Sequence, residues 1–205
     1  MNKKYFVTGI GTSVGKTIVS AVLVKLWNAE YWKPIQSGDL DSSDSQMLRT
    51  LVGEKLIFHP ERHKLNTPAS PHYAAEIDGV EIKLQDFQLP ETNGNLIVEG
   101  AGGMFVPIND HQFILDLVEY LDLPVILVCS DYLGSINHSL LSFHSLNERG
   151  IRVDFIVLNG EFKESSKRIL NKNKPEGSKI IEIPQLESLD AKGLETAILK
   201  IRIEK

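Results

Sequence analysis

The sequence predicts an α/β fold with a mainly parallel sheet and helices on both faces. Three observations carry this. Short apolar or β-branched runs alternate with segments of helical periodicity. Two of the runs, "LPVILVCS" (123–130) and "VDFIVLNG" (153–160), have the composition of strands buried on both faces. The glycine-rich stretch "TGIGTSVGKT" lies directly between a strand-like run and an apolar helix, an arrangement that suits anion binding at a helix N-terminus.

Each element follows in order. "KYFVTG" (4–9) reads as the first strand, and the apolar helix after the loop runs from Lys16 to about Asn28. "YWKPI" (31–35) is a second strand, stopped by Pro34. "GDLDSSDSQMLRTL" leads into a short helix with Ser42 or Ser43 as N-cap. Segment 54–93, with Pro60, Pro68, Pro71 and Pro90, is the least regular. It reads as an excursion over the carboxyl ends of the strands, so residues 1–205 form one domain. "NLIVEGAGG" (95–103) is a strand ending in glycines, and "KIIEIP" (179–184) follows 123–130 and 153–160 as a last, shorter strand. Helices are expected at 113–120, 136–149, 165–171 and 191–201.

The bulk composition narrows the function. With 205 residues the chain can bury a sizeable core, and 42% hydrophobic with 24% charged residues is an ordinary soluble balance. A net charge of −5 argues against a nucleic-acid-coating surface. No apolar run approaches the ~20 residues that cross a bilayer. The single cysteine, Cys129, excludes an intrachain disulfide, and "MNKKYFVTG" carries no signal-peptide core. A soluble cytoplasmic protein with neither a nucleic-acid nor a membrane partner is expected.

Ligands in such folds bind where strands end. At the first strand end, the usual phosphate loop is G-x-x-x-x-G-K-[ST]. Counting back from Gly15-Lys16-Thr17 places its first glycine at 10, which is Ile10; the glycines stand at 9 and 11. Backbone N–H groups from Ser13, Val14, Gly15, Lys16 and Thr17, with Ile18 behind them, would still cradle phosphates. Lys16 would reach the β- and γ-phosphates and Thr17 would coordinate Mg²⁺. This makes the fold P-loop NTPase-like. Lys33, at the carboxyl end of the second strand, can point into the same crevice. Asp44 is either a carboxylate favoured by its helix dipole or a metal ligand, and Glu99 would be costly to leave half-buried without a partner. Thr17, Asp44 and Glu99 together suit Mg²⁺. Gly100, Ala101 and Gly102 let backbone approach a ligand closely. Asn159 is followed by Gly160-Glu161-Phe162 and not by the Lys-x-Asp of guanine readers, which favours adenine. The helix start after "YLGSINH" offers free N–H groups to a substrate carboxylate. His59 and His63 are separated by Pro60 and make a poor zinc pair, while Cys129, Trp27 and Trp32 read as packing residues.

With "YFVTGIGTSVGKT", "KPIQSG", "SSD", "SPH", "VEGAGG", "LPVILV", "LGSINH", "LNG" and "IPQL" in this order, the chain resembles the dethiobiotin synthetases over nearly its full length. The five residues between Gly9 and Gly15 are that family's form of the loop, which accounts for the unusual spacing. The resemblance implies that 7,8-diaminononanoate, CO₂ (or bicarbonate) and ATP are joined through a carbamate and a carbamoyl-phosphate, giving dethiobiotin, ADP and phosphate. It implies Lys33 and Lys16 as catalytic residues, and Thr12 and Ser37 as substrate-binding. Leu133, Gly134, Ser135, Ile136 and Asn137 would receive the distal carboxylate near a homodimer interface. Asn159 and Gly160 with Pro184, Gln185 and Leu186 would surround the adenine. Segment 161–178 is short and lacks a tyrosine, so a grip on the substrate tail from there is not expected to take the usual form. Related P-loop amidoligases and partition-type switch ATPases share this scaffold. The switches carry a second lysine early in the loop, near the position of Gly11, and this chain has none there.

Overall fold

The structure, a computed structural model, describes residues 2–204; Met1 and Lys205, the outermost residues of the expected domain, lie outside the described residues. In chain order the main elements are β1 (Lys4–Gly9), α1 (Lys16–Trp27), β2 (Ala29–Trp32), β3 (Ile35–Ser37), α2 (Asp44–Val52), β4 (Phe58–His59), β5 (His63–Leu65), α3 (Pro71–Asp78) and β6 (Asn95–Glu99). They continue with α4 (Ile114–Leu121), β7 (Val125–Cys129), α5 (Ser135–Glu148), β8 (Val153–Asn159), α6 (Glu164–Asn173), β9 (Lys179–Ile183), α7 (Ala191–Leu199) and β10 (Arg202–Ile203).

The main sheet has eight strands in the order β10-β9-β8-β7-β1-β6-β2-β4. Every pairing is parallel except β9 with β10. From β1 the chain crosses toward β2 at one side of the sheet, and from β7 it crosses toward β8 at the other. Right-handed crossovers therefore put the intervening helices on opposite faces. Accordingly α1, α2 and α7 pack together, as do α5 and α6. β1, β6, β7 and β8 are the strands with fully buried apolar runs, such as Val125–Cys129, consistent with cover on both faces.

Three expectations need correction. The strand read at 31–35 is two strands. Pro34 has no N–H to continue the ladder, its carbonyl accepts from Arg62 and His63 (2.9 and 3.0 Å), and the chain turns away so that β3 pairs with β5 in a separate two-stranded sheet. Segment 54–93 is not wholly an excursion: β4 adds a strand beyond β2, and α3 is a helix opened by Pro71 at its first turn. The last helix stops at Leu199, and β10 then forms an antiparallel edge that short sequence patterning did not reveal. The helix expected from 136 begins at Ser135. The cap of α2 is Ser43, in a reciprocal capping box with Gln46.

Candidate active site

Parallel strands bring their carboxyl ends to one edge of the sheet, and a cleft of about 780 Å³ opens there. It is lined by Thr12, Ser13, Gly15, Lys16, Thr17 and Ile18 from the loop and helix after β1. Lys33, Ser37, Asp44, Glu99, Ala101 and Gly102 complete the expected residues on its wall. Pro68 to Pro71 close one side, so part of segment 54–93 does reach over the strand ends.

The loop owes its shape to close packing. Ser13 and Gly15 take left-handed φ values of 59° and 88°. A Cβ on Gly15 would stand 2.0 Å from Asn159 Nδ2, and one on Gly103 would stand 3.1 Å from Gly11 Cα. Two loops thus pass backbone against backbone at Gly103, where a side chain would press on Gly11. Gly15 caps α1 without a side-chain bond, so no capping side chain takes the first-turn N–H groups that an anion would use.

Four side chains converge beside the loop. The Thr17 hydroxyl lies 3.0 Å from Asp44 Oδ1 and 2.9 Å from Glu99 Oε1. Lys33 Nζ is 2.6 Å from Asp44 Oδ2 and 3.3 Å from Glu99 Oε1. Lys33 and Glu99 are both buried, at 3% and 1% exposure, so the pair depends on mutual compensation and not on water. Glu99 Oε2 accepts from the buried Tyr31 hydroxyl at 3.0 Å. Gln36 spans the approach to α2, donating to the Gly38 carbonyl (3.0 Å) and accepting from the Asp44 amide (3.4 Å).

Within this cluster two ammonium groups, Lys16 and Lys33, stand against two carboxylates, and Asp39 adds a third on the cleft wall. Burial alone would lower the Lys33 pKa, but Glu99 and Asp44 outweigh it and hold the group above the ordinary lysine value. Burial raises Asp44, yet Lys33, then Thr17 and Lys16, bring it below the usual carboxylate range. Lys16 has no such contact: burial pulls it down to about 8, partly opposed by Glu99. Its ammonium donates to the Gly11 carbonyl at 3.2 Å. Burial and the carboxylates of Glu99 and Asp44 keep the Tyr31 phenol protonated.

The donor set fits Mg²⁺. A hydroxyl has one proton to give, yet Thr17 lies within hydrogen-bond reach of two carboxylate oxygens. These three oxygens are hard ligands, and Mg²⁺ ordinarily takes one or two carboxylates together with phosphate and water.

Other expected residues stand outside this cleft. Val14 is buried, and Gly100 faces Phe6 and Ile114, so both serve packing at the loop. Asn159 donates from Nδ2 to the Val14 carbonyl at 3.0 Å, committing one amide hydrogen to the loop. Gly160, Pro184, Gln185 and Leu186 line a neighbouring cleft of about 710 Å³. Leu133, Gly134, Ser135, Ile136 and Asn137 form the start of α5, with Leu133 fully exposed and no side-chain cap on the helix. The segment borders the phosphate loop through Tyr132, whose hydroxyl lies 3.8 Å from the Cβ position of Gly11. Ser37 Oγ is buried with no hydrogen-bond partner among the described residues. His59 and His63 bond different carboxylates, Glu30 and Asp86, and Cys129 is fully buried. Tyr31 and Gln36 were not foreseen, whereas Pro68 and Pro71 belong to the segment expected over the strand ends. Tyr31 could have been found from the strand alternation that puts it on the face of Lys33.

Known proteins share both sequence and fold. The model of the AAA domain family matches residues 3–193. The ATP-dependent dethiobiotin synthetase of Cytophaga hutchinsonii is 52% identical over 173 residues, 83% of this chain and 84% of that protein. The enzyme of Rhodopseudomonas palustris is 40% identical over 200 residues, 96% and 94% of the two chains. The chain belongs to the dethiobiotin synthetase family. Membership makes it an ATP-dependent ligase. At the level of fold alone, a ParA family ATPase from Chlorobium tepidum aligns over 98% of this chain and 92% of its own, at a TM-score of 0.53 and 15% identity. The MinC:MinD cell division complex of Aquifex aeolicus aligns over 96% and 92%, at 0.51 and 19%. These synthetase relatives are matched over most of their own length, and the two solved structures share the fold alone.

Proposed function

We propose that the chain, acting as one domain, carboxylates 7,8-diaminononanoate with CO₂ and closes the product to the cyclic urea of dethiobiotin at the expense of ATP. The observation that carries the reading is the convergence of Thr17, Lys33, Asp44 and Glu99 within hydrogen-bond distance beside a phosphate loop. One amine of the diamine adds CO₂ to give a carbamate. Its oxygen attacks the γ-phosphorus of ATP, the bond to the bridging oxygen breaks, and ADP leaves a carbamoyl-phosphate anhydride. The second amine attacks the carbonyl carbon, phosphate departs, and the ring closes. A carbamate anion meets a polyanion in the first transfer, so positioning and charge neutralisation supply most of the catalysis. Lys33 faces the attacking carbamate and Lys16 the β- and γ-phosphates. Thr17, Asp44 and Glu99 would hold Mg²⁺, which supplies charge neutralisation between phosphate oxygens.

Ser13 to Ile18 and Gly100 to Gly102 wrap the phosphates, with Gly100 acting through packing. Asn159 and Gly160, with Pro184, Gln185 and Leu186, take the adenine; one N–H and the carbonyl of Asn159 are free for a base edge. Thr12 and Ser37 bind the diamine end, a role supported by the unpartnered buried hydroxyl of Ser37. Leu133 to Asn137 receive the distal carboxylate at a homodimer interface, where the exposed Leu133 would be covered. The buried thiol of Cys129 suits a reducing compartment, and we place the enzyme in the cytoplasm. Among the described residues no helix is long and apolar enough to cross a membrane.

The test is ADP release with MgATP and bicarbonate, with and without diaminononanoate. Strong stimulation by the diamine and a cyclic urea by mass are expected; ADP release indifferent to the diamine would refute the reading.

A further inference from the structure

The two oxygens of Glu99 have different surroundings. Oε1 faces Thr17 and Lys33 at the cleft, whereas Oε2 accepts from the Tyr31 hydroxyl. Tyr31 has no exposed surface and is not on the cleft wall, so no substrate atom reaches it.

Its reach follows from register. Tyr31 pairs with Ile97 across β2 and β6, and Glu99 lies two residues beyond Ile97 on the same face. On the other flank Tyr31 pairs with Phe58 of β4, ring edge to face at 5.8 Å, and the Arg49 guanidinium sits 4.2 Å over Phe58. The tyrosine ring is wedged, and its hydroxyl is delivered to one oxygen.

We propose that Tyr31 is a positioning residue for the metal site: by occupying Oε2 it fixes the rotation of the Glu99 carboxylate and leaves Oε1 alone to face the cation. The inference rests on Glu99 being a Mg²⁺ ligand, as assigned above. Mg²⁺ demands near-ideal octahedral geometry, so a carboxylate free to rotate or bind through both oxygens is the poorer ligand. Partners that orient a metal ligand typically matter by about 10- to 100-fold in metal affinity.

The experiment is a Mg²⁺ titration of ADP binding by calorimetry on the full chain, without diamine. Tyr31→Phe removes the hydroxyl and keeps the ring. It should raise the Mg²⁺ concentration at half-effect by about 10- to 100-fold, leave metal-free ADP affinity unchanged, and recover turnover when Mg²⁺ saturates. Phe58→Leu loosens the ring packing but keeps the hydroxyl, so it should lower the melting temperature and shift the Mg²⁺ midpoint much less than Tyr31→Phe does. In a Glu99→Gln background, Tyr31→Phe should move the midpoint no further. An unchanged midpoint in Tyr31→Phe, or an equal shift in Phe58→Leu, would overturn the proposal. Failure of diamine-stimulated ADP release would instead strike the substrate assignment, because the calorimetric readout uses no diamine.

Discussion

Replacing Lys33 with methionine removes one charge from this cluster and keeps most of the side-chain volume. The lysine is the shared partner of Asp44 and Glu99, and Glu99 is 1% exposed. Breaking a buried ion pair by deleting one partner costs about 3–5 kcal/mol. The Asp44 side chain is 36% exposed, so water screens that half of the contact, and about 3 kcal/mol is the appropriate end of the range. At roughly 2–4 °C per kcal/mol for a chain of this size, the melting temperature should fall by about 6–12 °C. The loss should be selectively reversible. With the ammonium gone, two carboxylates and a hydroxyl remain as an anionic oxygen cage, and Mg²⁺ should stabilise the variant more than the wild type. A ligand at ~100 times its Kd contributes about 2.7 kcal/mol, enough to restore most of the loss. The assay is differential scanning fluorimetry of both proteins across a Mg²⁺ series, with Ca²⁺ and NaCl controls matched for ionic strength. Turnover of Lys33→Met should stay depressed at every Mg²⁺ concentration, since it lacks the group that faces the carbamate, while ADP binding persists. A variant melting within about 2 °C of wild type without Mg²⁺, against the ~6–12 °C expected, would show that the buried pair is not formed in solution. Equal Mg²⁺ stabilisation of the two proteins would refute the cage.

Thr17→Val deletes the hydroxyl between Asp44 and Glu99; Mg²⁺-dependent tightening of ADP binding should weaken by at least about tenfold, read by calorimetry, with metal-free binding retained. Lys16, held down to about 8 in the free protein, should regain its proton when a polyphosphate binds. Near pH 8.5 binding should therefore take up a proton, visible as a dependence of the calorimetric enthalpy on buffer ionisation heat. The uptake should vanish below about pH 7, where Lys16 is already charged. The same depression makes a stability statement. The folded pKa lies below the unfolded one, so the cost of burying the charge is full below pH 8 and declines as pH rises toward the ordinary lysine value. Gly15→Ala should cost nucleotide affinity heavily, because the new Cβ meets Asn159 Nδ2 at φ 88°.

What was legible in the sequence is what depends on neighbours along the chain. The run Val125–Cys129 is apolar at every position and could be placed in a doubly covered strand without coordinates. The phosphate loop was legible because Gly15, Lys16 and Thr17 are contiguous, and Lys33 and Glu99 because both stand at ends of readable strands. What was not legible depends on partners far along the chain. β4 and β10 are two residues each, too short for any period, and exist only because β2 and β9 offer open edges. The Tyr31–Glu99 bond spans 68 residues and needs the parallel register of β2 and β6. Asn159 was read as a base-edge residue, and its bond to Val14 needs a fold to bring the two together.

That last bond spans 145 residues. β1, the first strand in the order of the described residues, sits between β6 and β7, and the amide bracing its phosphate loop comes from the end of β8. A domain folds as a unit, and here the phosphate-loop segment is braced only by strands later in the chain. A nascent chain ending before Val153 carries the whole phosphate-loop sequence, yet it lacks the strand that braces Val14. A chain that has not yet reached Asn159 therefore carries the loop's sequence without the amide that braces it.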